Sequence, residues 1–348
     1  MNGLRAPGEL RVPDQARIFV ATGHEVVRLT LTGTRAHEAE TVLRVAAPRC
    51  VAVDPHDPDR VYVGTFDDGL YATDDGGQTW RPAWQGVAER RVMAVSVSSA
   101  HRVGGASVVY AGTEPSNLYR SEDGGMTWQR LSTLRQLPSE PRWSFPPRPW
   151  THHVSTIALH PTDPDSLAVG IELGGVMRSP DGGRTWIDHN PQAYSDAHQL
   201  LTHPLAPERV YEVAGQGIAA SADRGESWRR MDHGLDRHYA WATAVDPGDP
   251  DLWYASVSRS PGAAHGSGDG QSRLLRSRGH GWSAVDGWGD DADLRRMPYA
   301  LATLPGQPGR LLVGLRGGAV LLGDDAGEKW SRLEAVLRDV VALAVAPA

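Results

Sequence analysis

The fold is decided by Thr73-Asp74-Asp75-Gly76-Gly77-Gln78-Thr79-Trp80, a stretch that recurs along the chain. Three good copies follow it at 121–128, 179–186 and 221–228. Two weaker copies lie at 277–282, which is shorter and lacks the aspartate, and at 323–330. The tryptophans that close the copies stand 42 to 58 residues apart. That period is typical of a four-stranded blade of a β-propeller.

The repeated motif has the chemistry of a tight hairpin turn. Its aspartate can accept backbone N–H bonds within the turn, the glycine supplies a positive φ, and the tryptophan packs as a wedge between neighbouring sheets. The pattern Ser/Thr-x-Asp-x-Gly-x-Thr-Trp resembles the Asp box, or BNR repeat, of the sialidase-like β-propellers, and the resemblance covers nearly the whole chain. It implies that the boxes are structural, because in that family they lie on the face opposite the ligand site.

Alternating apolar segments around each copy predict four strands per blade, and six blades fit between residues 48 and 333. The two ends supply complementary parts of a seventh blade, a second strand at 18–23 and an inner strand at 340–347. Pairing of these ends closes the ring and removes exposed sheet edges. We therefore predict an all-β fold, a single seven-bladed β-propeller with Asp-box hairpins over residues 16–348, preceded by a flexible lead over 1–15.

Composition narrows the class of protein. The chain has 348 residues and a formal net charge of -7, so charge gives no argument for nucleic acid as a partner. Cys50 is the single cysteine, which excludes an internal disulfide. No apolar stretch reaches the length of a membrane span, and the first thirty residues show no secretory signal. We expect a cytoplasmic protein that binds neither nucleic acid nor a membrane.

Two insertions interrupt the repeat on the face where propellers usually build their sites. The first, 131–151, contains the stretch Trp143-Ser144-Phe145-Pro146-Pro147-Arg148-Pro149-Trp150. The second, 258–272, is rich in glycine and serine. A proline-stiffened aromatic segment is typical of a pocket wall, with a packing cover as the alternative, and a Gly/Ser loop is typical of a mobile lid.

Basic residues recur where the inner strands begin. The inner strands align on the proline that closes each of them, and the third blade is placed by its hydrophobic pattern. In this alignment most strands begin with one or two residues that are arginine or histidine. A basic ring at the channel mouth favours a small anionic or carbohydrate-like ligand, and the alternative is that the arginines only solvate loop tips. The predicted ligand-binding residues are Arg90, Arg91, Arg296, Arg338, Arg316, Asp67 and Trp150.

Acid/base candidates share the same mouth. Glu114 and Glu172 occupy related places after strands of adjacent blades, and two carboxylates beside histidines can act as an acid/base pair. The alternative is that both acids are solvated or paired with arginine. The predicted catalytic residues are His152, His153, Glu114, Glu172, His198, His238 and Tyr239.

No local spacing of metal ligands occurs in the chain, so we predict no cofactor. A metal ion held by histidines from three consecutive blades is the alternative. Its ligands would be His152, His153, His198 and His238.

The family resemblance implies several activities. True sialidases are six-bladed and carry their first arginine in a Phe-Arg-Ile-Pro segment, which this chain lacks, so sialidase activity is not expected. Seven-bladed relatives include xyloglucan hydrolases built from two propellers and the non-catalytic photosystem II assembly propeller, and some propeller lyases use histidines and arginines on uronates. Two classes therefore stay open: a glycosyl hydrolase-like or lyase-like enzyme, and a binding or assembly factor that uses the same surface for a protein partner.

Overall fold

A computed structural model describes residues 15–266, 268–287 and 295–347. Over these residues the all-β prediction is confirmed, because seven antiparallel sheets follow one another around a central axis. The predicted lead over residues 1–15 lies outside the described residues except for Gln15. Among the residues described, no helix combines the length and apolarity needed to cross a membrane.

The strands follow in chain order, blade by blade. Blade 1 contains β1 (Gln15–Thr22), β2 (Glu25–Thr32) and β3 (Arg35–Arg44). Blade 2 contains β4 (Pro48–Asp54), β5 (Asp57–Thr65), β6 (Leu70–Thr73) and β7 (Arg81–Pro82). Blade 3 contains β8 (Arg91–Val103), β9 (Ala106–Glu114), β10 (Leu118–Ser121) and β11 (Gln129–Arg130). Blade 4 contains β12 (Val154–Leu159), β13 (Leu167–Ile171) and β14 (Gly175–Ser179), with an Arg178–Ile187 bridge where a fourth strand would pair.

The remaining blades have four strands each. Blade 5 contains β15 (Ala197–His203), β16 (Ala206–Ala214), β17 (Gly217–Ser221) and β18 (Arg229–Arg230). Blade 6 contains β19 (Tyr239–Asp246), β20 (Asp249–Ser258), β21 (Arg273–Arg278) and β22 (Trp282–Ala284). Blade 7 contains β23 (Pro298–Thr303), β24 (Leu311–Leu315), β25 (Val320–Asp324) and β26 (Lys329–Arg332). The last strand is β27 (Val340–Pro347); the helical segments are α1 (Pro261–His265) and three 3-10 turns, Ser132–Gln136, Glu140–Arg142 and Asp325–Gly327.

The ring is closed by the two ends of the chain. Strand β27 pairs antiparallel with β1, so that Ile18 lies opposite Val345 and Phe19 opposite Ala344. Strand β27 thereby becomes the inner strand of blade 1, in the order β27-β1-β2-β3. This pairing confirms the predicted closure, and it buries Phe19 completely.

The repeated hairpins are held by their aspartates. In the copy at 121–128, Asp123 Oδ1 accepts hydrogen bonds from Ser121 Oγ (2.8 Å) and from the Thr127 backbone N–H (2.9 Å). In the weaker copy at 323–330 the matching carboxylate is Asp325, which lies 3.5 Å from the Lys329 ammonium instead. The turn is therefore specified locally, by residues within one motif.

One bulged residue in each inner strand turns toward the axis. In β12, Val154 pairs with Ile171 and Thr156 pairs with Gly170, so Ser155 has no partner in the ladder. Each of the other six inner strands is irregular at the equivalent place, and a β-bulge re-aims the extra side chain. The seven bulge residues are Arg49, Met93, Ser155, His198, Trp241, Tyr299 and Val341.

Adjacent blades approach closely beside these bulges. At Gly112 of β9, an added Cβ would lie 2.5 Å from Cγ1 of Val154, which belongs to the next inner strand. A larger residue at this position would push the two blades apart. The absence of a side chain at Gly112 thus helps to fix the position of strand β12 and of its bulge.

Candidate functional site

A cavity of about 640 Å³ lies where the seven inner strands meet at one end of the propeller. All seven bulge residues line it, one from each blade. Loops of the same face complete the wall. Their lining residues are Phe145, Pro146, Pro147, Arg148, His153, Glu172, Leu173, Asp196, Tyr239, Pro261, His265 and Arg316.

Both insertions contribute to this wall. The first places Phe145, Pro146, Pro147 and Arg148 against the cavity. The second forms helix α1, in which Ala264 is buried against Tyr239 and Met297. Ser260 caps this helix, since its Oγ accepts a hydrogen bond from the Ala263 N–H at 3.2 Å.

His153 lies between two glutamates. Its Nε2 is 3.0 Å from Oε2 of Glu172, and its Nδ1 is 3.9 Å from Oε2 of Glu114. Burial is the largest single influence and raises the pKa of Glu172, but the hydrogen bond from His153 and the charges of His153, His198 and His265 together hold that pKa below its usual value. The carboxylate of Glu172 is therefore ionised at neutral pH, and it faces the cavity.

Glu114 lies behind the cavity rather than in its lining. Its side chain has no solvent exposure, and it accepts hydrogen bonds from Arg148 Nε (2.8 Å) and Arg91 Nη1 (2.9 Å). Burial favours the neutral acid, yet the ion pair with Arg148 lowers the pKa of Glu114 below its usual value. Glu114 therefore anchors Arg148, lies beside His153 and is not in the lining that a ligand in the cavity would meet.

Asp196 and His198 form a second polar cluster with Glu172. His198 Nδ1 is 2.6 Å from the Ala240 carbonyl oxygen, so Nδ1 carries the proton and Nε2 carries the lone pair. This Nε2 lies 3.7 Å from Oδ1 of Asp196. Ligand atoms of Glu172, Asp196 and His198 all lie within 4.8 Å of one another, which makes this the set that can hold a metal ion in the described chain. Burial raises the pKa of Asp196, although His198 opposes that shift.

An aromatic wall stands across the cavity around His265. Tyr239 Oη lies 2.5 Å from His265 Nε2, and Tyr299 Oη is hydrogen-bonded to His265 Nδ1. The ring of Trp241 packs 4.7 Å from that of His265 and 5.3 Å from that of Tyr299. Burial lowers the pKa of His265 to about 4, so its imidazole is neutral at neutral pH and has one donor and one acceptor nitrogen.

Three arginines face the same space. Arg148 is held by Glu114, and Arg316 donates a hydrogen bond to the His265 carbonyl oxygen. Arg49 makes no ion pair within the described ranges; its guanidinium lies 5.3 Å from the centre of the Phe66 ring. Burial, followed by the charge of Arg148, lowers the pKa of Arg49. Arg49 is thus the cavity arginine whose charge is left for a ligand.

The predicted ring of four arginines is not part of the cavity. None of Arg90, Arg91, Arg296 and Arg338 is in its lining. Arg90 stacks on Trp84 at 3.7 Å, and Arg91 is paired with Asp67 and Glu114. These residues come two or three positions before the bulges, where the chain has not yet turned its side chains toward the axis.

Four further predicted residues also lie outside the lining. His152 packs edge-on against Trp143, with ring centroids 5.4 Å apart, and burial lowers its pKa. His238 is exposed, Asp67 is an exposed partner of Arg91, and Trp150 is 79% exposed. Five predicted residues do lie in the lining: His153, Glu172, His198, Tyr239 and Arg316. The four-histidine metal set is therefore not assembled, since only His153 and His198 of it reach the cavity.

Sequence reasoning missed several lining residues. Arg49, Trp241 and Tyr299 stand three positions after the row of strand starts that was aligned on proline. The same alignment extended to that third position would have found them, because all seven bulges fall there. The sequence signals for two other lining residues were weaker. His265 was visible as a histidine within the Gly/Ser-rich insertion, and Asp196 as an acidic residue next to a strand start.

Comparisons with known proteins bear on the fold alone. No protein-family model matches the chain, and no curated protein sequence matches it. Among solved structures, an ancestral GH74 enzyme has 19% identity and a TM-score of 0.63, over 82% of this chain and 38% of that one. A GH74 xyloglucanase from Xanthomonas campestris has 18% identity and a TM-score of 0.62, over 83% and 45%. The chain thus spans less than half the length of these two enzymes.

A structure described as YCF48 bound to D1 peptide matches at 17% identity and a TM-score of 0.57. The match covers 82% of both chains. At such identities these neighbours share the propeller fold with this protein, and the fold hosts hydrolytic enzymes as well as a peptide-binding protein.

Proposed function

We propose that the protein is a lyase-like enzyme that cleaves a glycosidic bond of a small acidic sugar in the central cavity. The observation that carries this proposal is the hydrogen-bonded chain Tyr239–His265–Tyr299 in the cavity wall. A neutral imidazole between two phenols can pass a proton from one to the other without creating a charge. Such a chain supplies both the acceptor and the donor that an elimination requires.

The cavity matches an acidic sugar in size and in chemistry. Its volume of about 640 Å³ is in the range of small-molecule sites, and polar and charged side chains from several blades converge on it. The rings of Trp241 and Tyr299 offer flat apolar surfaces for a sugar ring. Arg49, which has no carboxylate partner among the residues described, can bind the sugar carboxylate through its planar guanidinium.

The elimination uses the proton chain as follows. Tyr239 takes the proton from the carbon next to the sugar carboxylate, while its own phenol proton moves to Nε2 of His265. The Nδ1 proton of His265 moves to Tyr299, and the Tyr299 phenol proton goes to the leaving oxygen. The electron pair of the C–H bond becomes a C=C bond as the adjacent C–O bond breaks. Arg49 stabilises the negative charge that builds up on the carboxylate.

The test is release of an unsaturated, ultraviolet-absorbing uronide from oligouronides. Replacing Tyr239 or Tyr299 by Phe should lower turnover about 10²-fold or more, because each removes one step of proton transfer. Tyr71, whose hydroxyl donates to Asp68 away from the cavity, provides the matched control as Tyr71→Phe. Turnover that survives both cavity substitutions, or a panel of oligouronides without any cleavage, would overturn the proposal.

A second candidate, hydrolysis, is favoured by Glu172 and Asp196. Their oxygens lie within 4.8 Å, and their pKa values are shifted in opposite directions, Glu172 down and Asp196 up. Two carboxyl groups at short range whose pKa values are shifted apart are the usual tools of glycoside hydrolases. Hydrolysis gives a saturated product, so the same assay distinguishes the two reactions. Absence of turnover, combined with binding of a peptide at the same face, would favour a binding protein like the YCF48 neighbour.

A further inference from the structure

We propose that Glu172, Asp196 and His198 bind a divalent transition-metal ion, Zn²⁺ or Mn²⁺, in the wall of the central cavity. Each residue offers one ligand atom, and the three atoms lie within 4.8 Å of one another. The residues come from two adjacent blades: Glu172 follows strand β13 of blade 4, and Asp196 and His198 stand at the start of β15 in blade 5. All three line the cavity, so an ion bound there would be open to a ligand.

His198 is oriented as a metal ligand. Its Nδ1–H donates to the Ala240 carbonyl oxygen at 2.6 Å, which directs the lone pair of Nε2 toward Asp196. Metal-bound histidines commonly have this second contact, because it fixes the ring and its tautomer. His198 is only 8% exposed, and its Nε2 has no hydrogen-bond partner among the described residues. A buried acceptor without a partner is costly, and a cation at this point would satisfy it.

The two carboxylates provide the matching charge. Asp196 Oδ1 is also buried without a hydrogen-bond partner in the described part of the chain. Glu172 uses Oε2 for His153 and keeps its other oxygen for a second contact. Neither carboxylate forms an ion pair with an arginine among the residues described, although Arg49, Arg148 and Arg316 line the same cavity. The cluster is therefore acidic, and no arginine of the described residues is paired with it directly.

The ligand set selects the kind of ion. An imidazole nitrogen with two carboxylate oxygens suits Zn²⁺ or Mn²⁺, whereas Ca²⁺ and Mg²⁺ prefer oxygen ligands alone. Three protein ligands leave at least one coordination position open. The role that we give to the ion rests on the proposed function. The open coordination position would accept the carboxylate of the acidic sugar, so that the ion and Arg49 would share the negative charge of that carboxylate. This set differs from the four histidines suggested by sequence, because His152 and His238 lie elsewhere.

Calorimetric titration of the chelator-treated full-length protein with Zn²⁺ or Mn²⁺ tests the inference. We expect one ion per chain, with affinity reduced roughly 10²-fold or more in Asp196→Asn and in His198→Gln, since each variant removes a ligand. His238→Gln is the matched control, because it alters an exposed histidine outside the cluster. Thermal melting in the absence of metal would show whether each variant is folded, and Asp196→Asn keeps the shape of the residue if His198→Gln does not fold.

The outcomes separate this inference from the proposed function. Failure of both ions to bind, or equal affinity in the wild type and in a folded Asp196→Asn variant, would refute the metal site while leaving the elimination untouched. Ion binding that His238→Gln abolishes would also refute it, since the ion would then lie on the surface. Tyr239→Phe should still bind the metal ion, because Tyr239 is not one of its ligands. If the wild-type protein binds the ion but cleaves no uronide, the elimination is refuted and the metal site is not.

Discussion

Arg148 Nε lies 2.8 Å from Oε1 of Glu114, a carboxylate with no exposed surface, and this contact ties the first insertion to blade 3. The same carboxylate is 3.9 Å from His153, which in turn bonds to Glu172 in the cavity wall. The insertion is therefore connected to the cavity by a continuous row of ionisable side chains. The stability of the insertion and the position of His153 should therefore both depend on the buried pair formed by Arg148 and Glu114.

We predict that Arg148→Met destabilises the protein by about 3 kcal/mol, because it leaves the Glu114 charge buried without its main partner. Adding Glu114→Gln to Arg148→Met should recover a large part of that loss, since the uncompensated charge is then gone. Chemical unfolding of the two single variants and the double variant measures the coupling between them. Strictly additive losses would contradict the idea that the two groups depend on each other.

Because of Glu212, we expect the free energy of unfolding to fall as the pH rises. This side chain is fully buried in blade 5, and burial raises its pKa to about 8 from a usual value of 4.5. The unfolded chain therefore loses this proton at lower pH than the folded chain does. The stabilising effect is complete below pH 4.5, declines between about pH 4.5 and 8, and is gone above that, with a total on the order of 5 kcal/mol.

Glu212→Gln tests this linkage, because an amide oxygen can still accept the Tyr194 N–H bond that Glu212 accepts at 3.1 Å. Thermal melts between pH 5 and pH 9 should show a smaller decline for Glu212→Gln than for the wild type. Glu334→Gln, at an exposed position, is the control and should follow the wild type. Parallel curves for all three proteins would show that Glu212 does not set the pH dependence.

The hairpin motif predicts unequal effects for equivalent aspartates. Asp123→Ala removes the acceptor of bonds from Ser121 and Thr127, and we expect the melting temperature to fall by roughly 3 °C or more. Asp325→Ala is the matched change in the weaker copy, where the side-chain partner of the carboxylate among the residues described is an exposed lysine at 3.5 Å. Its melting temperature should change little. Similar shifts for both variants would mean that the hydrogen bonds of the good copies contribute little to stability.

Ligand binding should depend on Arg49 and not on the arginines at the strand starts. We predict that Arg49→Gln weakens binding of a hexuronic acid about 10-fold or more, because a charge-assisted bond to the carboxylate is lost. Arg338→Gln changes an exposed arginine outside the cavity lining and should leave the affinity unchanged. Calorimetry at low and moderate salt measures both effects. The reverse ranking of the two variants would restore the original basic ring as the anion site.

The fold was predictable because its information is local and repeated. The hairpin at 121–128 is specified by its own serine, aspartate and threonine, and repetition of that unit marks six of the seven blades. Ring closure was predictable as well, since β1 and β27 are complementary parts of one blade. Neither inference required knowledge of contacts between distant side chains.

The site was only partly predictable because it depends on the irregular points of the strands. His153 and Glu172 were placed correctly on the mouth face, yet Trp241 and Tyr299 were overlooked, since alternation along an ideal strand does not reveal a bulge. The contact between His265 and Tyr239 joins an insertion to a strand 26 residues away in sequence. Which of the many mouth residues meet is decided by that three-dimensional arrangement and not by spacing.

The seven bulges have a consequence for how the pocket can change over evolutionary time. A bulge residue such as Met93 stands outside the paired ladder, so replacing it leaves the pairing of its blade intact. The strand pairing of the scaffold is therefore largely separate from the surface of the pocket, to which each blade contributes one side chain. Neighbours that pack on each other, such as Trp241 and Tyr299, would have to change together. Randomising these seven positions together would explore many recognition chemistries on one unaltered framework, which makes the propeller a natural starting point for redesigned specificity.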